Sequence, residues 1–498
     1  MTTLELSRPA SMEDQATYHA STSRPGPSEH RPSWSSAKTV KDGTDTPLSC
    51  QSTVGGLQET PLEGNEKERD QRQLEPFGYG FFAPELAEMR KTVYKILGVS
   101  MVITIFVMWT CLPLYWGSLW KSNQYTHNLT VRVLNYDQSS IGNGVASSLL
   151  SETALKFFPG DTAEFPTPDS IAHDVIQEGV WATIAINPNV TSSLAAARSV
   201  GDAQYSPTSA ITVYYTQARQ ETANNNYLVP LMQAALKTAL AKVTAQSVAD
   251  FISANSGNQT AMENLARAPL TINPAVSYTM NNLRPYNQPV ASAITLVGLI
   301  YMLIFAVIMT MVNNVCRQTI GPYLTTRSYI IYRLVSPMAL FLVLSFFFAM
   351  ISLPFDVKFD AHYTYVGGFF LWAFTVFLGM ASTGLAAEFA ITVLTDKFLA
   401  YFMIPLIIAN VSVASMPHEL QPAIFRYGAA MPFYNVSRVV RTIIFDTKNE
   451  IAKNLGILLA WTVLSFITIS LATWLGRRRE MRLRARELEG EQVSEKRV

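Results

Sequence analysis

Charge is the first thing in short supply. Asp, Glu, Lys and Arg make up 15% of the chain and apolar residues 49%, whereas about a quarter of an average soluble protein is charged. The near-neutral total of +1 conceals no strongly basic or acidic domain, so no nucleic-acid partner is expected. Cysteine is rarer still, with only Cys50, Cys111 and Cys316. None of these lies in 121–288, so whatever folds there does so without disulfides, and no zinc or iron–sulfur spacing occurs. Beyond the N-terminal region the histidines His127, His173, His362 and His418 are scattered, and H-E-x-x-H, G-x-S-x-G and Walker A motifs are lacking. Metalloprotease, serine-hydrolase and P-loop ATPase chemistry therefore find no constellation here. His173 beside Asp174 can be read as an acid–base pair, but a histidine on a surface helix is the simpler reading. No enzyme activity, catalytic residue, metal or cofactor is expected.

The charge that is present is segregated. It collects in the first 95 residues and the last 22, while 287–475 carries long apolar runs. That pattern belongs to a polytopic membrane protein. Residues 1–75 are rich in Ser, Thr, Pro, Gly, Glu and Lys. They bury too little apolar surface to offset an ordering cost of about 1–2 kcal/mol per residue, so 1–89 reads as a disordered cytoplasmic tail, a platform for phosphorylation or a plain tail. Glu5, Glu13 and Asp14 stand where a signal peptide would be positive, and no apolar core precedes residue 96, so no cleaved leader is expected.

The first span is 96–117 (ILGVSMVITIFVMWTCLPLYWG). At ~1.5 Å per residue it covers about 33 Å, enough for a ~30 Å hydrocarbon core. Arg90, Lys91 and Lys95 precede it and only Lys121 follows closely, which places the N-terminal side in the cytoplasm and residue 121 onwards outside. Five further spans are expected within 290–475, at 290–312, 334–353, 363–386, 398–413 and 455–475. An even number returns the C-terminus to the cytoplasm. Arg477, Arg478, Arg479, Arg482, Arg484 and Arg486 in the basic tail 476–498 agree, as do Arg317, Arg327 and Arg333 in the acid-free loop 313–333. Against the scheme, the outside segment 414–454 carries Arg426, Arg438, Arg441, Lys448 and Lys453. Sequons at Asn128, Asn189, Asn258 and Asn435 all fall outside and are candidates for N-glycosylation.

Residues 121–288 read as a small extracytoplasmic α/β domain between spans one and two. Val131 and Val133 begin a strand that runs into turn chemistry at Asn135 and Asp137. An apolar-striped helix over 145–158 is expected next, ended by Pro159 and Gly160. Strands follow at 181–186 (WATIAI) and 210–215 (AITVYY), and then a long helix over 227–254. Because two spans anchor this domain, their relative movement must move it.

Two places in the membrane part invite function. Between 431 and 446, apolar Phe433, Val436, Val439, Ile443 and Ile444 alternate with Arg438 and Arg441 after Pro432, an amphipathic or re-entrant external segment. It caps the bundle, or it forms a gate whose arginines meet phosphate headgroups or an acidic substrate. Glu388 is a strong intramembrane carboxylate, either a relay or a group near the inner headgroups or facing other helices. Small residues from Gly367 to Ala387 permit close helix approach, and Pro337 and Pro405 mark hinge positions.

The order of one span, a large domain opening with V-x-V-L-N-Y-D-Q (Val131 to Gln138), then G-P-Y-L-T-T-R (Gly321 to Arg327) and M-P-F-Y-N-V-S-R-V-V-R-T-I-I-F-D-T-K-N (Met431 to Asn449) resembles the fungal nitrosoguanidine-resistance protein family (DUF3533). It is also similar to the bacterial phage-infection-protein and ABC-2-type permease group, whose external domain opens with a strand and N-x-D turn matched here by Asn135 and Asp137. The resemblance covers about 90–478. It implies an ABC-2-permease-like bundle of about six spans with a partly re-entrant helix at 432–445, and a link to resistance against toxic compounds. No nucleotide-binding domain is fused to the chain. The expectation is a plasma-membrane, multi-pass protein with both termini cytoplasmic that exports or translocates amphipathic small molecules or phospholipids, as a homo-oligomer or alone. The alternative is a non-transporting regulator of lipid asymmetry or of other transporters. A receptor sensing ligand with the insert is a third reading.

Overall fold

The computed structural model of the chain describes residues 79–495, with side chains as far as Arg486. The expected disorder and phosphorylation platform over 1–75 lie outside the described residues. Where the 1–89 tail is described it is not a tail. A 3-10 turn at Pro84–Leu86 leads directly into α1, Ala87–Leu119.

After α1 the chain enters an α/β unit. Its elements are β1 (Thr130–Asn135), α2 (Ser140–Leu150), β2 (Lys156–Pro159), α3 (Pro168–Ile176), β3 (Ala182–Ile186), α4 (Val190–Val200) and β4 (Ile211–Tyr215). A one-turn α5 (Glu221–Ala223) runs through a π turn into α6 (Val229–Asn255), and α7 (Gln259–Arg267) and β5 (Tyr278–Asn282) follow. The strands form one sheet in the order β2-β1-β3-β4-β5. β3 and β4 pair antiparallel and the other three pairs are parallel. Period-two alternation sorts the side chains to two faces. Val131, Val133, Ile184 and Val213 meet Val145 and Leu149 of α2 and Met232 and Leu236 of α6. Leu134, Ala185 and Tyr214 turn the other way onto Ile171 and Val175 of α3. Covered on both faces, β3 is buried along its whole length.

Two elements differ from expectation. The helix expected over 145–158 ends at Leu150, and Lys156–Pro159 is instead an edge strand on β1. Phe157 and Phe158 favour the extended state, and an edge is where a sheet tolerates Pro159. β5 (Tyr-Thr-Met-Asn-Asn) carries no apolar alternation; its place is decided by pairing with β4.

The chain continues with α8 (Gly298–Ile320), α9 (Thr326–Met350), α10 (Tyr365–Leu394), α11 (Leu399–Ala414), α12 (Pro432–Phe445) and α13 (Ile451–Glu495). All but α12, together with α1, are long and apolar enough to cross a bilayer, six spans among the described residues. The protein is therefore a polytopic helical membrane protein. α1 exposes Ile96, Leu97, Met101, Val102, Phe106 and Trp109, a surface suited to contact with lipid. α10 is the central helix and packs against α8, α9, α12 and α13. Its glycines permit this: a Cβ on Gly384 would lie 2.4 Å from the Phe341 ring, and one on Gly379 would lie 2.7 Å from the Met302 sulfur. Pro113, Pro337 and Pro405 all sit inside continuous helices.

α12 has 14 residues, about 21 Å at ~1.5 Å each and too short to span. Pro432 opens it, where the missing N–H costs nothing, and Asp446 closes it in the left-handed region. Nearly all of its side chains are buried against α10, α11 and α13. It is enclosed by protein rather than lying free as a surface helix. The basic tail expected at 476–498 is helical throughout its described part, because α13 runs on to Glu495.

Candidate functional site

The arginines of α12 are engaged by protein carboxylates, Arg441 buried and Arg438 half-buried. Arg438 donates from Nη2 to both carboxylate oxygens of Glu178, at 3.1 and 3.0 Å, and to Glu450 at 3.3 Å. Arg441 pairs with Glu221 at 2.6 Å and donates to the Ala218 carbonyl at 3.0 Å. Glu178 and Glu221 belong to the α/β unit, so two of the basic residues of the segment 414–454, Arg438 and Arg441, are the bundle's half of a seam. Burial alone would lower the Arg438 guanidinium, but Glu178, Tyr434 and Glu450 outweigh it and raise its pKa. Burial likewise pushes the Glu221 carboxyl up, and Arg441 beside it wins, holding the group below its usual value.

Further contacts complete the seam. Arg219 lies 3.8 Å over the Trp181 ring and donates to Glu419 at 3.1 Å, and Trp181 Nε1 donates to the same carboxylate at 3.2 Å. Gln220 donates to the Ser415 carbonyl at 2.8 Å. Arg284 and His362 both meet the Asp446 carboxylate at the end of α12. Glu178 itself takes φ 62° in the turn after α3, a conformation costing a non-glycine residue about 1 kcal/mol. Between the two halves is a cavity of about 170 Å³, lined by Glu178, Trp181, Arg219, His418, Tyr434 and Arg438 among others. His418 stacks on Tyr434 at 4.9 Å between ring centres, and neither ring nitrogen has a hydrogen-bond partner among the described residues.

Glu388 forms the second cluster. It is fully buried on α10 among other helices. Arg333 of α9 donates to its Oε1 from Nε at 2.9 Å and Nη2 at 2.6 Å, and Arg317 of α8 converges on the same oxygen. Thr473 of α13 accepts from Arg333 at 2.7 Å. Four helices thus meet at one carboxylate. The acid-free loop 313–333 is partly this cluster, since Arg317 and Arg333 are 5% and 3% exposed. An intramembrane acid requires a cation, which is the signal that points to them. For Glu178, Glu221 and Glu419 in the seam, only the tertiary structure supplies the pairing.

The other candidate residues have local roles. Asp137 accepts from the Gly142 and Thr191 amides at 3.1 and 3.0 Å and from the Thr191 hydroxyl at 2.6 Å, tying the β1 turn to α2 and α4. Asn135 accepts from the Gln138 amide and donates to Asn143. A Cβ at Gly142 would lie 2.4 Å from Asn135 Oδ1, so the turn requires that glycine. Asn128, Asn189 and Asn258 are exposed. Asn435 is not a glycan site in this fold: it is 1% exposed and donates to the Ala429 and Met431 carbonyls.

A family model described as a protein of unknown function, DUF3533, matches residues 100–467. An uncharacterized endoplasmic reticulum membrane protein of Saccharomyces cerevisiae is 23% identical over 424 residues, covering 80% of this chain and 83% of the yeast protein. No solved structure matches the chain.

Proposed function

The chain belongs to the DUF3533 family over residues 100–467, and from that membership we propose a membrane protein that passes amphipathic toxicants or phospholipids across the bilayer by coupled movement of its α/β head and helical bundle. The observation that carries this reading is the seam. Arg438 and Arg441 tie α12 to Glu178 and Glu221 of the head, while the apolar side chains of α12 are packed into α10 and α13. Buried ion pairs have few alternative arrangements, so a shift of the head moves α12, and α12 moves the spans. In this reading the head is extracytoplasmic, both termini are cytoplasmic, and α12 fills the place of the re-entrant helix in an ABC-2-permease-like bundle. The lipid bilayer is its constant surroundings, it acts without enzymatic chemistry, and assembly as a homo-oligomer is compatible with it. The name of the yeast relative favours the endoplasmic reticulum over the plasma membrane; fractionation of cells expressing the tagged chain decides between them.

The test is flux in liposomes. Purified protein is expected to accelerate movement of a fluorescent phospholipid or a lipophilic cation over protein-free vesicles. Glu178→Gln is expected to slow it severalfold with the protein still folded. No acceleration by the unaltered chain sinks the carriage reading and favours the second one, a regulator of lipid asymmetry or of other transporters. The close packing of α10, with Gly384 against Phe341 and Ala306, favours that alternative.

A further inference from the structure

At the end of the bundle away from the α/β unit lies a cavity of about 430 Å³ between α8, α9, α10 and α13, lined by Arg317, Arg333, Arg477, Arg484, Tyr329 and Glu480 among others. We propose that this cavity binds a phosphate group carrying net negative charge. The electrostatics lead there first. Four arginines line it, and the only carboxylates close to them are Glu480 in the wall and Glu388 behind it, so two positive charges are left over among the described residues. Two of the four, Arg317 and Arg333, are buried against the one carboxylate of Glu388, and a buried surplus of positive charge is costly unless an anion accompanies it.

The guanidinium groups of Arg333 and Arg477 are also held in place, as a receptor requires. Arg333 is fixed by Glu388 and Thr473. Arg477 stacks 4.1 Å over the Tyr329 ring and donates to the Gly321 carbonyl, and Arg333 lies 5.9 Å from the centre of the same ring. Planar forks restrained by stacking lose little freedom on binding and match phosphate oxygens two at a time.

Depth indicates where the anion comes from. Arg333 is seven residues into α9 and Glu388 six residues before the end of α10, about 9–10 Å in from the helix ends. That is close to where headgroup gives way to hydrocarbon. On the same two turns of α13, Leu471, Trp474 and Leu475 are exposed and apolar. The phosphate of an anionic lipid fits this setting. A soluble phosphate ester offers the same chemistry, and the experiment separates the two.

Thermal unfolding of the full chain in neutral detergent would be followed during titration with short-chain phosphatidic acid, phosphatidylcholine of equal chain length, glycerol phosphate and inorganic phosphate. A saturable rise in Tm with phosphatidic acid but not phosphatidylcholine is expected, weakened about tenfold or more by Arg477→Ala with Arg484→Ala through lost charge-assisted contacts. Arg484→Glu, at an exposed position, should weaken it without touching the core. A lipid source is shown if the soluble phosphates give no comparable rise, and a soluble source if they reproduce it. Equal effects of phosphatidic acid and phosphatidylcholine, or unchanged affinity in both arginine variants, overturn the proposal. This site deepens the transport reading but is tested apart from it: Glu178→Gln, which opens the seam, is expected to bind the anion as the unaltered chain does.

Discussion

Glu388 and His418 show how differently two buried titratable residues are accommodated. Glu388 keeps its place because two guanidinium groups share its Oε1. His418 has no such partner and is held by packing against Tyr434. Burial lowers the pKa of its imidazole against the opposing pull of Glu419 and Gln421, and Arg438 and Arg426 push the same way as burial. The folded protein therefore binds fewer protons at this position than the unfolded chain as pH falls below the ordinary histidine value of about 6.5. Its contribution to stability is complete above that value and is lost progressively below it. Melting temperature measured from pH 7.5 to 5.5 should fall, and His418→Phe should flatten the part of the decline that belongs to this residue. An identical slope in the variant would show that other groups carry the acid sensitivity.

At the scale of elements, what a helix glycine touches shows how closely that helix is packed. Gly384 brings α10 within reach of α8 and α9, and a methyl there meets a Phe341 ring that has no exposed surface along which to move. Gly384→Ala is expected to cost about 1–3 kcal/mol by overpacking. Gly98, in the middle of α1, has nothing within 4 Å of its would-be Cβ, so Gly98→Ala should be neutral or stabilising by roughly 0.5–1 kcal/mol. Denaturant titration of both variants in the same detergent checks the contrast, and equal effects would contradict the packing of α10. α12 illustrates the same logic with charge. Its Phe, Val and Ile positions face spans while Arg438 and Arg441 face the head, so an amphipathic pattern serves a largely buried helix.

For the whole molecule, the decisive question is which side of the bilayer the head occupies. Asn128, Asn189 and Asn258 are exposed on it, whereas Asn435 is enclosed by the bundle. With the head extracytoplasmic, glycosidase should shift the electrophoretic band of the unaltered chain. It should leave a variant with all three head asparagines changed to Gln unshifted, and Asn435→Gln should behave as the unaltered chain. A chain that glycosidase never shifts would speak against an outside head and, with it, the coupling scheme.

The six spans were legible because lipid imposes a long, local, one-dimensional requirement: about 20 apolar residues in a row satisfy it whatever they pack against. Strands such as Ala182–Ile186 and Ile211–Tyr215 were legible for a similar reason, since β-branched and aromatic runs buried on both faces announce themselves. Lys156–Pro159 was not, because an edge strand of four residues is defined by its neighbour β1 more than by its own composition. The candidate residues divide along the same line. Glu388, Arg438 and Arg441 stand out in the sequence as charges in apolar surroundings. Their partners Arg317, Arg333, Glu178 and Glu221 lie 55 to 260 positions away, and only the fold brings opposite charges at such separations within hydrogen-bonding distance. The sequence by itself determined that this chain lives in a membrane and where it crosses. Tertiary structure decided that its basic segment is a clasp between head and bundle, because ion pairing depends on distance in space and not on separation along the chain.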